Sequence, residues 1–124
     1  MKTILYVAAG GSIGAVLRFL MSGWVYQWLG RGFPWGTLVV NVFGSLMMGF
    51  LFFIFTERVL INPDLRTAIL VGGLGALTTF STFSIETLNL IEGGSNPAAF
   101  ANIIFSVILC ICAVWLGMWL ARMV

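Results

Sequence analysis

Four long apolar runs, separated by short polar segments, make up most of the chain. Each run is about 20 residues long, the length that an α-helix needs to cross the hydrocarbon core of a bilayer. The separating segments GRGFPWG, TERVLINPD and EGGSNP carry the charges, glycines and prolines typical of turns. The pattern predicts transmembrane helices at residues 3–23, 36–56, 66–90 and 98–121.

Composition agrees with this pattern. Of 124 residues, 60% are hydrophobic and 8% are charged, whereas soluble domains carry about a quarter charged residues. The first run follows Met1 and Lys2 as a secretory signal would, but it is longer than a signal core and three further runs follow it. We therefore expect it to be retained, in an all-α integral membrane protein whose residues 1–124 form one four-helix domain.

Glycines recur in the strings GGSIG and GGLGA of the first and third runs. Neither string completes the G-x-G-x-x-G of a nucleotide-binding loop. Gly10 and Gly14 are four residues apart and share one helix face, a spacing that lets transmembrane helices approach closely. They predict a helix contact.

Polar side chains lie inside three of the four runs, where each costs free energy unless it faces a partner or water. They repeat at helical spacing, so they form polar stripes: Thr37, Asn41 and Ser45; Asn102, Ser106 and Cys110; and Thr78, Thr79, Ser81, Thr82, Ser84, Glu86 and Thr87. Hydrogen bonds between helices are the ordinary explanation of one stripe. Three stripes together favour a wetted path through the membrane.

The stretch GALTTFSTFS, residues 75–84, lies in the middle of the third run. Threonine and serine weaken a helix or bond back to its backbone, so a break near residues 75–79 is expected. Irregular backbone at membrane depth persists where it is buried or lines a cavity, and its freed carbonyls form a natural cation site. A hydroxyl-induced bend without an ion is the alternative.

The charged residues favour an anion as the transported species. Arg18 is the only basic residue well inside a run, and the first, second and fourth runs contain no carboxylate. Hydroxyls, amides and an arginine can all meet an anion. Phe80 and Phe83, three residues apart, can add their electropositive ring edges, although packing explains most such pairs.

Enzymatic chemistry is not expected. The chain has no histidine, so the usual neutral-pH proton shuttle is missing, and Glu86 has no evident catalytic partner. Cys110 and Cys112 are two apart, which matches neither a metal nor a redox motif. No organic cofactor and no nucleic-acid partner is expected.

Three strings carry a family resemblance: GALTTFSTFSIE at 75–86, GTLVVN at 36–41 and GGSIGAVLRF at 10–19. Together with the four-span length, they closely resemble the Fluc family of fluoride channels, also known as CrcB proteins. The similarity covers essentially the whole chain.

The resemblance implies a channel of the bacterial cytoplasmic (inner) membrane that exports fluoride passively and so relieves fluoride toxicity. It implies an antiparallel, dual-topology homodimer with two pores, and a central structural Na⁺ held by backbone carbonyls of Gly75 and Thr78. It also implies pore roles for Asn41, Phe80 and Phe83, and a polar track along or near Thr37, Ser81, Thr82, Ser84 and Glu86. Arg18 matches the arginine of the family's first helix, with a role in anion attraction or structure.

Two features of the sequence differ from what the resemblance implies. Cys110 occupies a position where a more polar small residue is expected. With the N-terminus inside, Lys2, Arg58, Arg66 and Arg122 face Arg31 across the membrane, and this four-to-one excess favours one orientation over an antiparallel pair.

Two other functions stay open from the residues alone. A small proton-coupled exporter of multidrug or guanidinium type has the same size, but it would place a carboxylate in the first run, where this chain has none. A noncatalytic assembly subunit would use its polar stripes to bind partner helices, and would conduct no ion by itself.

Overall fold

The computed structural model describes residues 1–124 and contains four helical spans of membrane length. The spans are Lys2–Leu29, Trp35–Arg58, Pro63–Glu92 and Asn96–Met123. We call the first two α1 and α2 and the last α5; the third is divided into α3, residues 63–77, and α4, Phe80–Glu92. The predicted all-α architecture with four membrane spans is confirmed.

Each span extends beyond its predicted limits, and α1 extends most. It continues to Leu29 instead of residue 23 and ends at Gly30, whose φ of 78° suits glycine. Trp24, Tyr26 and Trp28 are therefore part of the helix. Tryptophan and tyrosine side chains favour the level of the lipid headgroups, but they do not end a helix.

The third span begins with a capped turn. The Asn62 side chain accepts a hydrogen bond from the Asp64 N–H at 2.8 Å, and Pro63 occupies the first turn. The backbone then winds as a π-helix over Ala68–Leu74 and returns to an α-helix at Gly75–Leu77. This α-helical turn ends at Leu77, and the break follows directly.

The break consists of Thr78 and Thr79, both in extended conformation, with ψ values of 155° and 120°. It falls at the end of the range expected from the sequence. Since α4 starts again at Phe80, the interruption is short and the span still crosses the membrane as one unit. The predicted mid-span break is confirmed.

Glycines bring the helices into close contact at two places. A Cβ on Gly10 would collide with the carbonyl oxygen of Ala68, and one on Gly14 with that of Gly73, so α1 lies directly against α3. Gly49 of α2 lies equally close to the Val114 carbonyl of α5, and Gly117 of α5 lies equally close to the Leu46 carbonyl of α2. The contact predicted from Gly10 and Gly14 is confirmed, and α1 with α3 and α2 with α5 are the two most extensive helix pairs.

The interior of the subunit is small. Only 23 of 124 residues are buried, and the apolar core is centred on Val40, Leu70, Leu74 and Leu77. Most large apolar side chains point outward, including Phe19, Trp28 and Ile111. Such a surface suits lipid or a second subunit, since a soluble monomer rarely exposes large apolar patches.

Candidate ion pathway

Asn41 of α2 holds the break in place. Its Nδ2 donates to the Thr79 carbonyl at 3.0 Å, and its Oδ1 accepts from the Thr79 N–H at 2.8 Å. Both bonds are buried, and a buried backbone group without a partner costs about 1 to 3 kcal/mol. The side chain thus replaces the helical bonds that Thr79 gives up.

Thr79 also caps α4. Its Oγ1 accepts from the Thr82 N–H at 3.2 Å, while its hydroxyl donates to the Thr82 Oγ1 at 3.0 Å. A side-chain oxygen that accepts from the third helical residue is the usual N-cap arrangement. The polar string of residues 78–84 therefore begins a helix as well as ending one.

These bonds leave two carbonyls without their helical partners. In a continuous helix, the N–H of Thr79 would donate to Gly75 and that of Thr82 to Thr78, but here they donate to Asn41 and to the Thr79 hydroxyl. Oxygen ligands of this kind suit a hard cation. The chain offers no cluster of three or more His, Cys, Asp or Glu residues for a metal, so a cation here would depend on carbonyls.

A cavity of about 330 Å³ lies beside the break, between α2 and α5. None of its lining residues is charged. Its polar lining consists of Asn41, Ser45, Thr78, Thr79, Ser106 and Cys110. Phe80 and Phe83 also line it, so side chains from all three polar stripes and both phenylalanines meet around one space.

The two phenylalanine rings contact each other with centroids 5.2 Å apart and planes tilted by 45°. Phe83 is buried, with 8% of its surface exposed, whereas Phe80 is 75% exposed. A tilted pair directs ring edges as well as faces toward its surroundings. Phe80 therefore extends the cavity wall to the outside of the subunit.

Few polar hydrogens at this cavity remain without a strong acceptor. The hydroxyls of Thr78 and Ser106 donate to the Leu74 carbonyl at 3.0 Å and to Asn102 at 3.3 Å. The Ser45 hydroxyl faces the Cys110 thiol, which is a weak partner. Asn41 uses one of its two amide hydrogens for Thr79. Ser45 and Asn41 thus hold the donors most available to an ion.

Glu86 anchors a second polar cluster. Its Oε1 accepts from the Tyr26 hydroxyl and from the Thr37 hydroxyl, both at 2.9 Å, while its Oε2 is buried without a protein partner. Arg31 stacks on Tyr26, with its guanidinium carbon 4.8 Å from the ring centroid. No local spacing links Tyr26 with Glu86, because the two residues are 60 positions apart in the sequence.

The Glu86 cluster borders a separate cavity of about 280 Å³ at one end of the molecule. Tyr26, Arg31, Glu86, Asn89 and Ser95 supply its polar lining.

Arg18 lines a third cavity, of about 210 Å³, together with Ser22, Thr37, Thr79 and Thr82. Thr79 lines both this cavity and the one beside Phe80. Arg18 is therefore placed next to the hydroxyl groups of the break, on the α1 side of it.

Three of the predicted site residues, Gly75, Ser81 and Ser84, line none of the three cavities. Ser81 and Ser84 are exposed; the Ser84 hydroxyl donates to the Phe80 carbonyl at 2.8 Å, and the Ser81 Oγ lies 3.3 Å from the Thr79 Oγ1. On α5, Asn102 donates to Thr87 at 2.9 Å. That part of the α5 stripe serves helix packing, which was the ordinary explanation of such stripes.

Comparison with known proteins identifies relatives along nearly the entire chain. Residues 5–118 match the family described as CrcB-like protein, Camphor Resistance (CrcB). A protein of Magnetococcus marinus named Fluoride-specific ion channel FluC is 54% identical over 121 residues, covering 98% of both chains. Proteins with the same name from Methylococcus capsulatus and Geotalea uraniireducens are 52% and 44% identical. This chain covers 53% of the former and 98% of the latter.

With four membrane-length helices and bacterial relatives, the chain is a multi-pass protein of the bacterial inner membrane. The family match spans far more than half of the sequence, and the identity to the relatives is high over their shared length. The chain belongs to the CrcB family.

Proposed function

We propose that the chain is a fluoride-selective channel that lets fluoride leave the cytoplasm passively and so reduces its toxicity. The observation that carries this proposal is the uncharged cavity at the break, where Asn41 and Ser45 face the rings of Phe80 and Phe83. The relatives named as fluoride-specific channels support it. A channel needs no reacting groups, and the chain is not an enzyme.

Fluoride is small and strongly hydrated, so a pore must replace its water with hydrogen-bond donors. The Ser45 hydroxyl and the second Asn41 amide hydrogen supply donors at the cavity, and the ring edges of Phe80 and Phe83 complete the contact. These are weak, dispersed contacts. Conduction requires such a balance, because an ion that binds too tightly does not leave.

The two other cavities extend the proposed path. Near Glu86, the cavity lined by Arg31 and Asn89 would provide an entrance. Between them, Thr37 donates to Glu86 and also lines the Arg18 cavity, which meets the break at Thr79. We propose Thr37, Thr82 and Glu86 as the polar track, with Arg18 drawing the anion inward. Ser81 and Ser84 are proposed to lie beside it.

A structural Na⁺ is proposed at the break. The carbonyls of Gly75 and Thr78 lack their helical partners, and Gly75 lies on the exposed side of α3. Carbonyls from two subunits would supply oxygen ligands that one subunit alone does not. Thermal unfolding of the purified protein in sodium and in N-methylglucamine tests this. Equal stability in both would exclude a structural sodium.

We further propose that two subunits pack antiparallel and form two pores. Phe80, which lines the cavity, is mostly exposed in the single subunit. An aromatic wall that is open on one side needs a second surface to enclose an ion and exclude water. A partner subunit provides that surface.

The rival functions have less support. A proton-coupled exporter requires a carboxylate inside the membrane to exchange protons with its substrate, and α1 contains none. An assembly subunit would leave the uncharged cavity and its free donors without a role.

The test of function is growth of a bacterial strain that lacks its own fluoride exporter. Expression of the chain should restore growth in fluoride medium and leave growth in equimolar chloride unchanged. Failure to restore growth, with the protein present in the membrane, would contradict the proposal.

A further inference from the structure

Three arginines gather at the end of the molecule opposite the Glu86 cavity. Arg58 ends α2, Arg66 lies in the first turns of α3, and Arg122 lies in the last turn of α5. All three are therefore at the same membrane–water boundary. None belongs to the ion pathway described above.

The three guanidinium groups contact the last turns of α2 and the end of α5. Arg66 Nη2 donates to the Thr56 hydroxyl at 2.8 Å, and its guanidinium carbon lies 5.7 Å from the centroid of the Phe52 ring. Arg122 lies over Phe53 at 5.6 Å. Arg58 Nη2 donates to the Arg122 carbonyl at 3.2 Å. The side chains are thus held by aromatic and backbone contacts instead of extending freely into water.

Most of their hydrogen-bonding capacity is unused. Each guanidinium carries five N–H donors, whereas the bonds above use a single donor of Arg58 and a single donor of Arg66. The acceptors are a carbonyl and a hydroxyl, so the positive charges are not neutralised by these bonds. The nearby Asp64 carboxylate accepts from the Thr3 hydroxyl at 2.6 Å.

The loop that follows Arg58 is apolar and exposed. Leu60 is fully exposed and Val59 is 46% exposed, and Met123 and Val124 are exposed beside Arg122. Exposed apolar side chains next to several guanidinium groups match a lipid headgroup and its acyl chain better than they match a free ion in water. Planar guanidinium groups bind phosphate oxygens in a bidentate manner.

We propose that Arg58, Arg66 and Arg122 form a binding site for the phosphate of an anionic phospholipid headgroup, with the Val59–Leu60 loop against its acyl chains. Basic clusters between transmembrane helices are suited to such headgroups. The site holds lipid at one end of each subunit and is independent of ion conduction.

The experiment is a lipid titration of the full-length protein in detergent, with bound lipid counted by native mass spectrometry. Phosphatidylglycerol should bind more tightly than phosphatidylcholine. Each of Arg58→Gln, Arg66→Gln and Arg122→Gln should weaken phosphatidylglycerol binding about fivefold, as expected for one basic residue at an anionic surface. Arg66→Lys keeps the positive charge but lacks the planar guanidinium group, so it should weaken phosphatidylglycerol binding less than Arg66→Gln.

Lys2→Gln is the matched control, because Lys2 lies at the same end, carries the same charge and is exposed. It should leave the preference unchanged. Equal binding of both lipids to the wild-type protein would overturn the proposal even if the variants fail to fold. Displacement of phosphatidylglycerol by excess inorganic phosphate would contradict a phospholipid as the ligand and indicate a site for free anions.

Discussion

Phe80 separates ion conduction from folding better than any other residue of the proposed pore. It lines the cavity at the break but is 75% exposed, so its replacement removes little buried surface from the subunit. Phe80→Ile keeps an apolar side chain and removes the ring edge. We expect fluoride flux to be lost while the protein stays folded and dimeric, as measured by liposome efflux and thermal unfolding.

The matched control for this substitution is Phe100→Ile, at a position on α5 that is 67% exposed and outside the cavities described above. Its flux should equal that of the wild type. Normal flux in Phe80→Ile would remove the ring from the proposed pathway.

Asn41 holds the break and has a proposed second role in the pore, and one substitution affects both. Asn41→Asp keeps the oxygen that accepts from the Thr79 N–H but removes the amide that donates to its carbonyl. It also places a carboxylate beside the proposed anion path. We expect destabilisation of about 1 to 3 kcal/mol and a strong fall in flux, measured by thermal unfolding and by liposome efflux.

Asn62→Asp is the control for this change. Asn62 caps α3 through its side-chain oxygen, which aspartate retains, and it lies in the loop before the third span. Stability and flux should be unchanged. An Asn41→Asp protein as stable as the wild type would contradict the role of the amide in holding the break.

Sequence reasoning identified Asn41 but not its partner. Spacing along α2 placed Thr37, Asn41 and Ser45 on one face, because helical periodicity is local. The contact between Asn41 and Thr79 joins residues 38 positions apart, as the contact between Tyr26 and Glu86 joins residues 60 apart. Such pairs depend on how the helices pack, which the pattern of single residues does not contain.

At the scale of the helices, the contact of α1 with α3 is sensitive to side-chain size. Gly14→Ala would put a methyl group against the Gly73 carbonyl, which is backbone and unable to rotate away. Overpacking of this kind costs about 1 to 3 kcal/mol. We expect a lower unfolding temperature and, because the α3 break lies a few residues beyond Gly73, reduced flux.

Gly11→Ala is its control on the same helix. A Cβ at Gly11 would meet no atom within 4 Å, and alanine favours a helix over glycine. Stability should stay the same or rise. If both alanine variants behave alike, close packing at Gly14 does not stabilise this contact.

The helices themselves were largely predictable from sequence. The length of the apolar runs indicated the four spans, and the threonines and serines of residues 78–84 indicated the break. Both signals are carried by consecutive residues of one segment. Span ends were less predictable: α1 continues through Trp24 and Trp28 to Gly30. The pattern of apolar and polar residues did not indicate the π-helical winding at Ala68–Leu74.

For the whole molecule, orientation in the membrane tests the antiparallel pair. Lys2, Arg58, Arg66 and Arg122 lie at one end and Arg31 at the other, which favours one orientation. We still expect both orientations in comparable amounts, because the proposed antiparallel pair contains one subunit in each orientation and would cover the exposed Phe80 and Gly75.

A single cysteine added at the C-terminus, with Cys110 and Cys112 replaced by alanine, allows labelling by a membrane-impermeant reagent in intact cells. About half of the protein should react before lysis and the remainder afterwards. Labelling that is complete, or absent, before lysis would show one orientation and contradict the antiparallel homodimer.

The central claim is selective fluoride conduction by this chain alone. The most direct measurement is anion efflux from liposomes that contain only the purified protein, followed with fluoride and chloride electrodes, with potassium and valinomycin supplying charge balance. We predict rapid loss of fluoride while chloride is retained. Retention of both ions by folded, dimeric protein, or equal loss of both, would contradict the account.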